Sequence, residues 1–239
     1  MSNSDSSDPI YTPRHTFDKG TLSDRVYESL REDILSNTLP PETPLHEAAI
    51  ASAFEVSRGP VREALRRLDA EGLVSVIPRR GAVVSSLTTE EFLDAYRVRE
   101  ALEVLAVRLA TPRLTGEDLD LLESLHEQMI DHADSGDVEG FFAANAAFHA
   151  LTVDRSGNKK LQEIYHPLIT QMRRYYLSSM TLRGGMARSC EEHEQILQAM
   201  KDGQAAEAAR LLSEHIQVPQ RMLASDVEAV LVPSVQASD

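Results

Sequence analysis

Residues 56–68 read Val56-Ser-Arg-Gly-Pro-Val-Arg-Glu-Ala-Leu-Arg-Arg-Leu68, and this stretch predicts a helix with two different faces. Ser57 suits the N-cap, Pro60 is tolerated in a first turn, and the residues after it favour helix. Apolar residues recur at helical spacing on one face, and arginines lie four apart on another. The apolar residues are Val61, Ala64, Leu65 and Leu68, and the arginines are Arg58, Arg62 and Arg66. An arginine face is typical of a helix that enters the major groove of DNA, but also of an ordinary solvated surface.

The residues that follow predict a β-hairpin with a basic tip. Residues 73–77 and 82–86 are rich in β-branched side chains, and Pro78-Arg-Arg-Gly81 joins them. Arg79 and Arg80 would then lie at the tip, where they would contact phosphate or the minor groove. A hairpin with merely solubilising charges does not explain why a basic tip directly follows an arginine-lined helix. We therefore predict a winged helix-turn-helix that binds DNA.

Two helices are predicted upstream of the arginine-bearing one. Ser23 is a candidate N-cap for a helix that extends to about Ser36, and a shorter helix is expected from about His46 to Phe54. The apolar stripe predicted for the first of them consists of Leu22, Val26, Tyr27, Leu30 and Ile34. These helices complete the DNA-binding unit.

The net charge at first argues against a DNA-binding protein, since it is -14 at pH 7. The charge is unevenly distributed, however. Residues 13–87 contain 10 Lys and Arg against 11 Asp and Glu, whereas residues 88–239 contain 14 against 25. The acidity therefore belongs to the second part of the chain, and the arginines of the first part remain available to phosphate.

Length and composition indicate two structured domains between two tails. We expect disordered tails at residues 1–19 and 225–239, a winged helix-turn-helix at 20–86 and an effector domain at 88–224. A single cysteine, Cys190, permits no intrachain disulfide. No long apolar run or signal-like start is present, so the expected location is the cytoplasm, away from the membrane.

The second domain reads as consecutive helices, and the fold class predicted for the whole chain is mainly α. Thr88 and Glu91 form a capping box for the first of them, which ends at Pro112. Its predicted apolar stripe is Phe92, Ala95, Leu102, Leu105 and Leu109. The later helices are expected at 116–132, 138–155, 160–179, 186–201 and 205–223. Because the connections are short, an antiparallel helical bundle is predicted.

Four polar residues of this bundle are candidate metal ligands. Asn145 and His149 lie one helical turn apart, and His193 and His215 lie on two later helices. Three neutral imidazoles and an amide oxygen would suit a divalent transition metal in the bundle interior. The alternative is that these histidines are ordinary hydrogen-bonded core residues.

Several motifs together resemble the GntR family of bacterial transcription regulators, in its FadR-type subgroup with an FCD effector domain. The DNA-binding half is similar at Leu39-Pro-Pro-Glu-Thr-Pro-Leu45, at Val56 to Leu65, at Glu71-Gly-Leu-Val74 and at Arg80-Gly-Ala82. The second half is similar at Ala147-Phe-His-Ala-Leu151, Ser156-Gly-Asn158, Glu192-His-Glu-Gln-Ile196 and Ser213-Glu-His215.

The resemblance implies which residues contact DNA. Arg58 and Arg62 would contact bases, Ser57 and Pro60 would lie beside the backbone, and Gly81 would lie at the wing tip. Where related regulators often have an arginine early in the second helix, this chain has Ala48. One contact is therefore absent or is supplied by His46.

The resemblance also implies a metal and an effector. Many members of the FCD family bind a divalent metal through an Asp, or sometimes an Asn, and three histidines, which here would be Asn145, His149, His193 and His215. Zinc is the first choice, with nickel or manganese as alternatives. The family commonly recognises small carboxylates through an arginine of the first effector-domain helix, here Arg99, and Arg173 is a further candidate. A salt bridge between Arg99 and Glu103 is the alternative role.

We therefore predict a homodimeric regulator, most often a repressor in this family, that binds double-stranded operator DNA and responds to a metal and a small organic acid. The sequence leaves three alternatives open. They are a sensor of metal alone, an effector pocket without metal, and a metal-dependent enzyme with Glu192 or Glu194 as its base.

Overall fold

The computed structural model of the chain describes residues 11–14, 20–77, 81–180 and 185–231, apart from the side chains of residues 89, 173–180 and 219–231. The chain divides into two compact units, Met1–Leu87 and Thr88–Asp239.

The first unit is a winged helix-turn-helix. A three-stranded antiparallel sheet has the strand order β1-β3-β2, and β2 and β3 form the predicted hairpin, in which Val74 pairs with Val84 and Ile77 with Gly81. The elements are α1 (Leu22–Leu35), β1 (Pro44–Leu45), α2 (Glu47–Ala53), α3 (Arg58–Ala70), β2 (Val74–Ile77) and β3 (Gly81–Val84). Strand β1 was not predicted because two residues are too short to show a strand pattern.

Two expectations for the start of this unit are wrong. Helix α1 is capped by Thr21 and not by Ser23, because the Thr21 hydroxyl accepts from the Asp24 amide and the Asp24 carboxylate accepts from the Thr21 amide. Leu22 was predicted to be buried, yet it is 48% exposed.

Part of the predicted N-terminal tail is packed against the first unit. The hydroxyl of Tyr11 donates to Asp33 Oδ2 at 2.6 Å, and the Tyr11 ring stacks on Phe54. Asp33 lies on α1 and is completely buried. Residues 11–14 are therefore an ordered part of the domain, contrary to the prediction of disorder for residues 1–19.

The second unit is the predicted all-α bundle. Its helices are α4 (Thr89–Ala110), α5 (Gly116–Ser135), α6 (Val138–Arg155), α7 (Lys159–Met180), α8 (Gly185–Lys201) and α9 (Ala205–Leu231). Helix α9 continues to Leu231, so residues 225–231 are helical where a disordered tail was expected; residues 232–239 lie outside the described residues. Among the described helices, none is long and apolar enough to cross a membrane.

Helix α4 lies against α6, α7 and α9, but its buried face differs from the predicted one. Phe92 is buried as expected, whereas Leu105 is 43% exposed. Two charged residues, Arg99 and Glu103, are buried instead, beside Tyr96. The apolar pattern placed the face incorrectly because charged side chains occupy the interior at this point.

Candidate functional site

The arginine-bearing helix α3 has the two faces that the sequence predicts. Val61, Ala64, Leu65 and Leu68 are at most 3% exposed and belong to the core of the first unit. Ser57 occupies the N-cap position, although its side chain makes no capping hydrogen bond. Arg58, Arg62 and Arg66 are exposed on the opposite side, and the first turn of the helix contains no acidic residue.

The three exposed arginines differ in their partners. The Nε of Arg62 donates to both carboxylate oxygens of Glu47 on α2, at 2.8 and 3.0 Å. Arg66 donates only to the main-chain carbonyl of Arg62, at 3.4 Å. Arg58 makes no hydrogen bond or ion pair with any described residue, so its guanidinium is available to a ligand.

A groove of about 390 Å³ lies between α3 and the hairpin. It is lined by Glu47, Arg62, Leu65, Arg66, Val76, Gly81 and Ala82. Gly81 has a φ of 93°, a backbone conformation that glycine adopts more readily than other residues. Arg79 and Arg80, the predicted wing-tip contacts, lie outside the described residues. His46 is the N-cap residue of α2, and its side chain makes no capping hydrogen bond.

In the second unit, three of the predicted metal ligands come together. His149 on α6, His193 on α8 and His215 on α9 each offer one nitrogen, and these atoms all lie within 4.8 Å of one another. All three side chains are at most 5% exposed. The rings of His193 and His215 have centroids 4.5 Å apart, and those of His149 and His193 are 5.0 Å apart.

Each of these rings places its Nδ1 next to an oxygen atom. The three pairs are His149 with Glu103 Oε2, His193 with the carbonyl oxygen of Ser189 and His215 with Glu192 Oε2, each at 2.7 Å. A carbonyl or an ionised carboxylate can only accept a hydrogen bond, so the proton of a neutral ring lies on Nδ1. Each Nε2 then keeps an unshared electron pair, which is the arrangement found in histidines that bind metals.

The Nε2 atoms of His149 and His193 are 3.2 Å apart. Two unprotonated nitrogens repel each other at this distance unless a proton or a metal cation lies between them. Nitrogens that bind one zinc ion at about 2.0–2.1 Å and at the tetrahedral angle are about 3.3–3.4 Å apart. The observed separation therefore fits two ligands of one cation.

Asn145 lies on α6, one helical turn before His149, and is 8% exposed. Its Oδ1 is buried and has no hydrogen-bond partner among the described residues. A buried amide oxygen without a partner is costly, and a cation would satisfy it.

Burial keeps two of the histidines neutral. It lowers the pKa of His193 well below the usual value, and the neighbouring His215 and His149 lower it further. Burial also lowers the pKa of His215, with additional contributions from His149 and Arg99. Neutral rings are the form that binds metals.

Glu103 connects Arg99 to the histidines. Its Oε1 accepts from Arg99 Nε at 2.6 Å and from the Tyr165 hydroxyl at 3.1 Å, while its Oε2 lies beside His149. Burial alone would raise the pKa of Glu103, but the charge of Arg99 and the hydrogen bonds from His149 and Arg99 outweigh this effect and lower it. The salt bridge considered for Arg99 is thus present, and it is buried beside the histidine cluster.

The second candidate arginine, Arg173, lies on α7, and its side chain is outside the described part of the structure. Glu103, Ser189 and Glu192 were not predicted as partners of the histidines. Only the spacing of Glu103 four residues after Arg99 offered a signal, and it pointed to a salt bridge. A cavity of about 470 Å³ next to His215 was not predicted either, and it is lined by Glu192, Gln195, Leu211, Glu214, His215, Gln217 and Val218.

Comparison with known families assigns both units. Residues 22–84 match the family described as bacterial regulatory proteins, gntR family, and residues 94–218 match the FCD domain. The chain is 32% identical to the gluconate operon transcriptional repressor of Bacillus subtilis, over 82% of each chain. It is 28% identical to the transcriptional repressor RspR of Escherichia coli, over 82% of this chain and 86% of that one.

Solved structures support the same assignment. The structure of E. coli McbR/YncC matches with a TM-score of 0.73 and 26% identity, over 87% of this chain and 100% of that one. The relatives are named as transcription regulators and not as enzymes, which removes the enzyme alternative. With an arginine-lined α3, a wing and a helical second domain, the chain belongs to the GntR family of DNA-binding transcription regulators, in the group with an FCD domain.

Proposed function

We propose that this regulator is a homodimeric repressor whose FCD domain holds a divalent metal through Asn145, His149, His193 and His215. The observation that best supports the metal is the convergence of three buried rings whose Nδ1 atoms all face oxygens, which leaves their Nε2 atoms as ligands. Zinc suits this set best, and nickel or manganese are alternatives.

The four proposed ligands are neutral, so the bound cation would keep its full positive charge. Glu103 and Glu192 are not proposed ligands themselves. Glu103 contacts and orients His149, and Glu192 contacts and orients His215. With these four residues as ligands, an anionic effector would have to join the metal as an additional ligand or replace one of them. This charge balance favours a carboxylate as the second ligand of the site.

We propose that a small carboxylate is the effector and that Arg99 binds it. Arg99 is 6% exposed and lies near the histidine cluster, since Glu103 contacts both Arg99 and His149. A planar guanidinium matches the geometry of a carboxylate, and Arg99 is joined to the histidine cluster through Glu103.

The cavity beside His215 narrows the class of effector. Glu192 and Glu214 would repel a second carboxylate there, whereas they and the two glutamines would accept or donate hydrogen bonds to hydroxyl groups. We therefore expect hydroxylated monocarboxylates to be favoured over dicarboxylates.

The proposal that the protein is a repressor is supported by the names of its relatives. The homodimer is expected because regulators with helix-turn-helix domains bind paired half-sites through a symmetric dimer. An effector changes operator affinity only if it binds the DNA-bound and DNA-free states with different affinity.

The test begins with a selection from a pool of random-sequence duplexes, which identifies a DNA site that the protein binds. Mobility-shift titrations on that site, at fixed salt, are then run with chelator-treated protein, with zinc-reloaded protein, and with zinc plus each of several acids. The acids are matched pairs with and without hydroxyls: lactate and propionate, malate and succinate, gluconate and hexanoate. We expect a change in DNA affinity only when zinc and a hydroxylated acid are both present, and a smaller change with the dicarboxylate malate than with lactate or gluconate.

A response to zinc alone would instead identify a metal sensor. A response to an acid in chelator-treated protein would show that the effector pocket works without metal. Light scattering on the same samples tests the dimer, and a monomer bound to a symmetric site would contradict that part of the proposal.

A further inference from the structure

Glu47, the first residue of α2, is in contact with an arginine that we expect to contact DNA. We propose that Glu47 is a positioning residue that sets base preference, because it fixes the guanidinium of Arg62 with its terminal nitrogens directed outward. This inference rests on the proposed base contact of Arg62.

The contact uses only one edge of the guanidinium. Arg62 Nε donates to Oε2 of Glu47 at 2.8 Å and to Oε1 at 3.0 Å. The terminal nitrogens of Arg62 donate no hydrogen bond to any described residue. The guanidinium is planar, so holding Nε leaves the two terminal nitrogens as a pair of parallel donors. Such a pair matches O6 and N7 of guanine in the major groove.

The burial of the two side chains fits this role. The Glu47 side chain is 26% exposed and the Arg62 side chain is 60% exposed. The carboxylate is thus partly enclosed between α2 and α3, while the guanidinium that it holds extends into the groove next to the hairpin.

The neighbouring arginines of the same face lack this support. Arg58 has no hydrogen-bond partner among the described residues, and Arg66 contacts only a main-chain carbonyl. A long side chain that is already held in one orientation loses less conformational entropy when it binds. Arg62 is therefore better suited than Arg58 or Arg66 to discriminate between bases.

Glu47 also affects the overall affinity for DNA. Its negative charge repels phosphate, so it weakens binding even though it supports base preference. Removing it should raise the affinity for any DNA sequence. If Glu47 positions Arg62, the same change should lower the preference for guanine. If Glu47 merely competes with DNA for Arg62, the preference for guanine should stay the same or increase.

The test uses the full-length protein and the site selected from random-sequence duplexes. Each base pair of that site is replaced in turn, and competition titrations at fixed salt give the discrimination at each position. The variants are Glu47→Ala, Arg62→Ala and, as a matched control, Glu63→Ala. Glu63 lies on α3, is exposed and has no partner among the described residues. Its removal changes the charge of the domain by the same amount as the removal of Glu47. Circular dichroism confirms the fold of each variant, and Glu47→Gln replaces Glu47→Ala if the latter does not fold.

We expect Arg62→Ala to abolish discrimination at one guanine and Glu47→Ala to reduce it there by roughly tenfold, in line with the value of one bidentate contact. Glu63→Ala should leave discrimination unchanged while raising overall affinity. Full discrimination in Glu47→Ala together with its loss in Arg62→Ala would overturn the positioning role but keep the base contact. Full discrimination in Arg62→Ala would overturn the proposed base contact itself.

Discussion

Acidification should destabilise the FCD domain of the metal-free protein because His193 and His215 are buried as neutral rings. Burial, together with the neighbouring imidazoles, lowers the pKa of both residues well below 6.5. In the unfolded chain each imidazole takes up a proton near pH 6.5, whereas in the folded state it does not. The contribution of these two neutral rings to the stability of the fold is therefore fully present above this pH. It is lost progressively as the pH falls below it.

The size of the effect follows from proton linkage. A ring that is protonated only in the unfolded state contributes about 1.4 kcal/mol per pH unit once the pH is well below 6.5. Two such rings lower the free energy of unfolding by about 2.7 kcal/mol between about pH 7.5 and about pH 5.5. Glu192, whose pKa is raised by burial, opposes this trend at the acidic end, so the value is an upper limit.

The measurement is urea unfolding of chelator-treated protein at several pH values, followed by far-ultraviolet circular dichroism. The two domains can unfold separately, and under the proposed metal site we expect added zinc to shift the transition of the FCD domain. The variant His193→Gln removes one titrating ring and should show about half of the wild-type pH dependence. A stability that does not fall over this range, or a variant with the full wild-type dependence, would refute the assignment of two buried neutral rings.

Three further substitutions test other parts of the structure. Arg58→Ala should weaken binding to the selected DNA site by roughly tenfold to a hundredfold in mobility-shift titrations, since this guanidinium has no partner among the described residues, and unchanged affinity would show that Arg58 does not contact DNA. Glu103→Gln should lower zinc affinity by roughly tenfold to a hundredfold in a competition with a chelating dye, because Glu103 orients His149; equal affinity would contradict that role. Tyr11→Phe removes a hydrogen bond to the buried Asp33 and should lower the stability of the DNA-binding domain by about 1–2 kcal/mol in thermal unfolding, whereas Thr12→Ala, with no such contact, should not.

The sequence predicts those parts of the fold that depend on local signals. Thr88 and Glu91 form the capping box that was expected, and the hairpin begins and ends near the predicted residues. These features depend on residues that are close together in the chain, so that spacing and turn chemistry suffice.

Features that depend on distant contacts were missed. The order of residues 11–14 depends on Tyr11 reaching Asp33, 22 positions away in the chain. The face of α4 was misplaced because Arg99 and Glu103 pair in the interior, where Glu103 also contacts Tyr165 and His149 on other helices. Amphipathic patterns count apolar residues, so a buried ion pair is assigned to the surface.

The histidine cluster includes one feature that local spacing predicts and others that depend on distant contacts. Asn145 and His149 are one turn apart, and this spacing places them on the same face of α6. That His193 and His215 join them came from the family resemblance, because the rotation of α8 and α9 is not readable from spacing. The Nδ1 partners Glu103, Ser189 and Glu192 required the three-dimensional arrangement.

The metal content of the purified protein tests the central proposal most directly. Elemental analysis of protein that has never been exposed to chelator should find roughly one divalent metal ion per chain, as a buried set of four protein ligands would retain it through purification. The matched variant His193→Ala should lose most of this metal while its helical content is preserved. Less than about a tenth of an equivalent in the wild-type protein, with no uptake of added zinc, would contradict the metal centre.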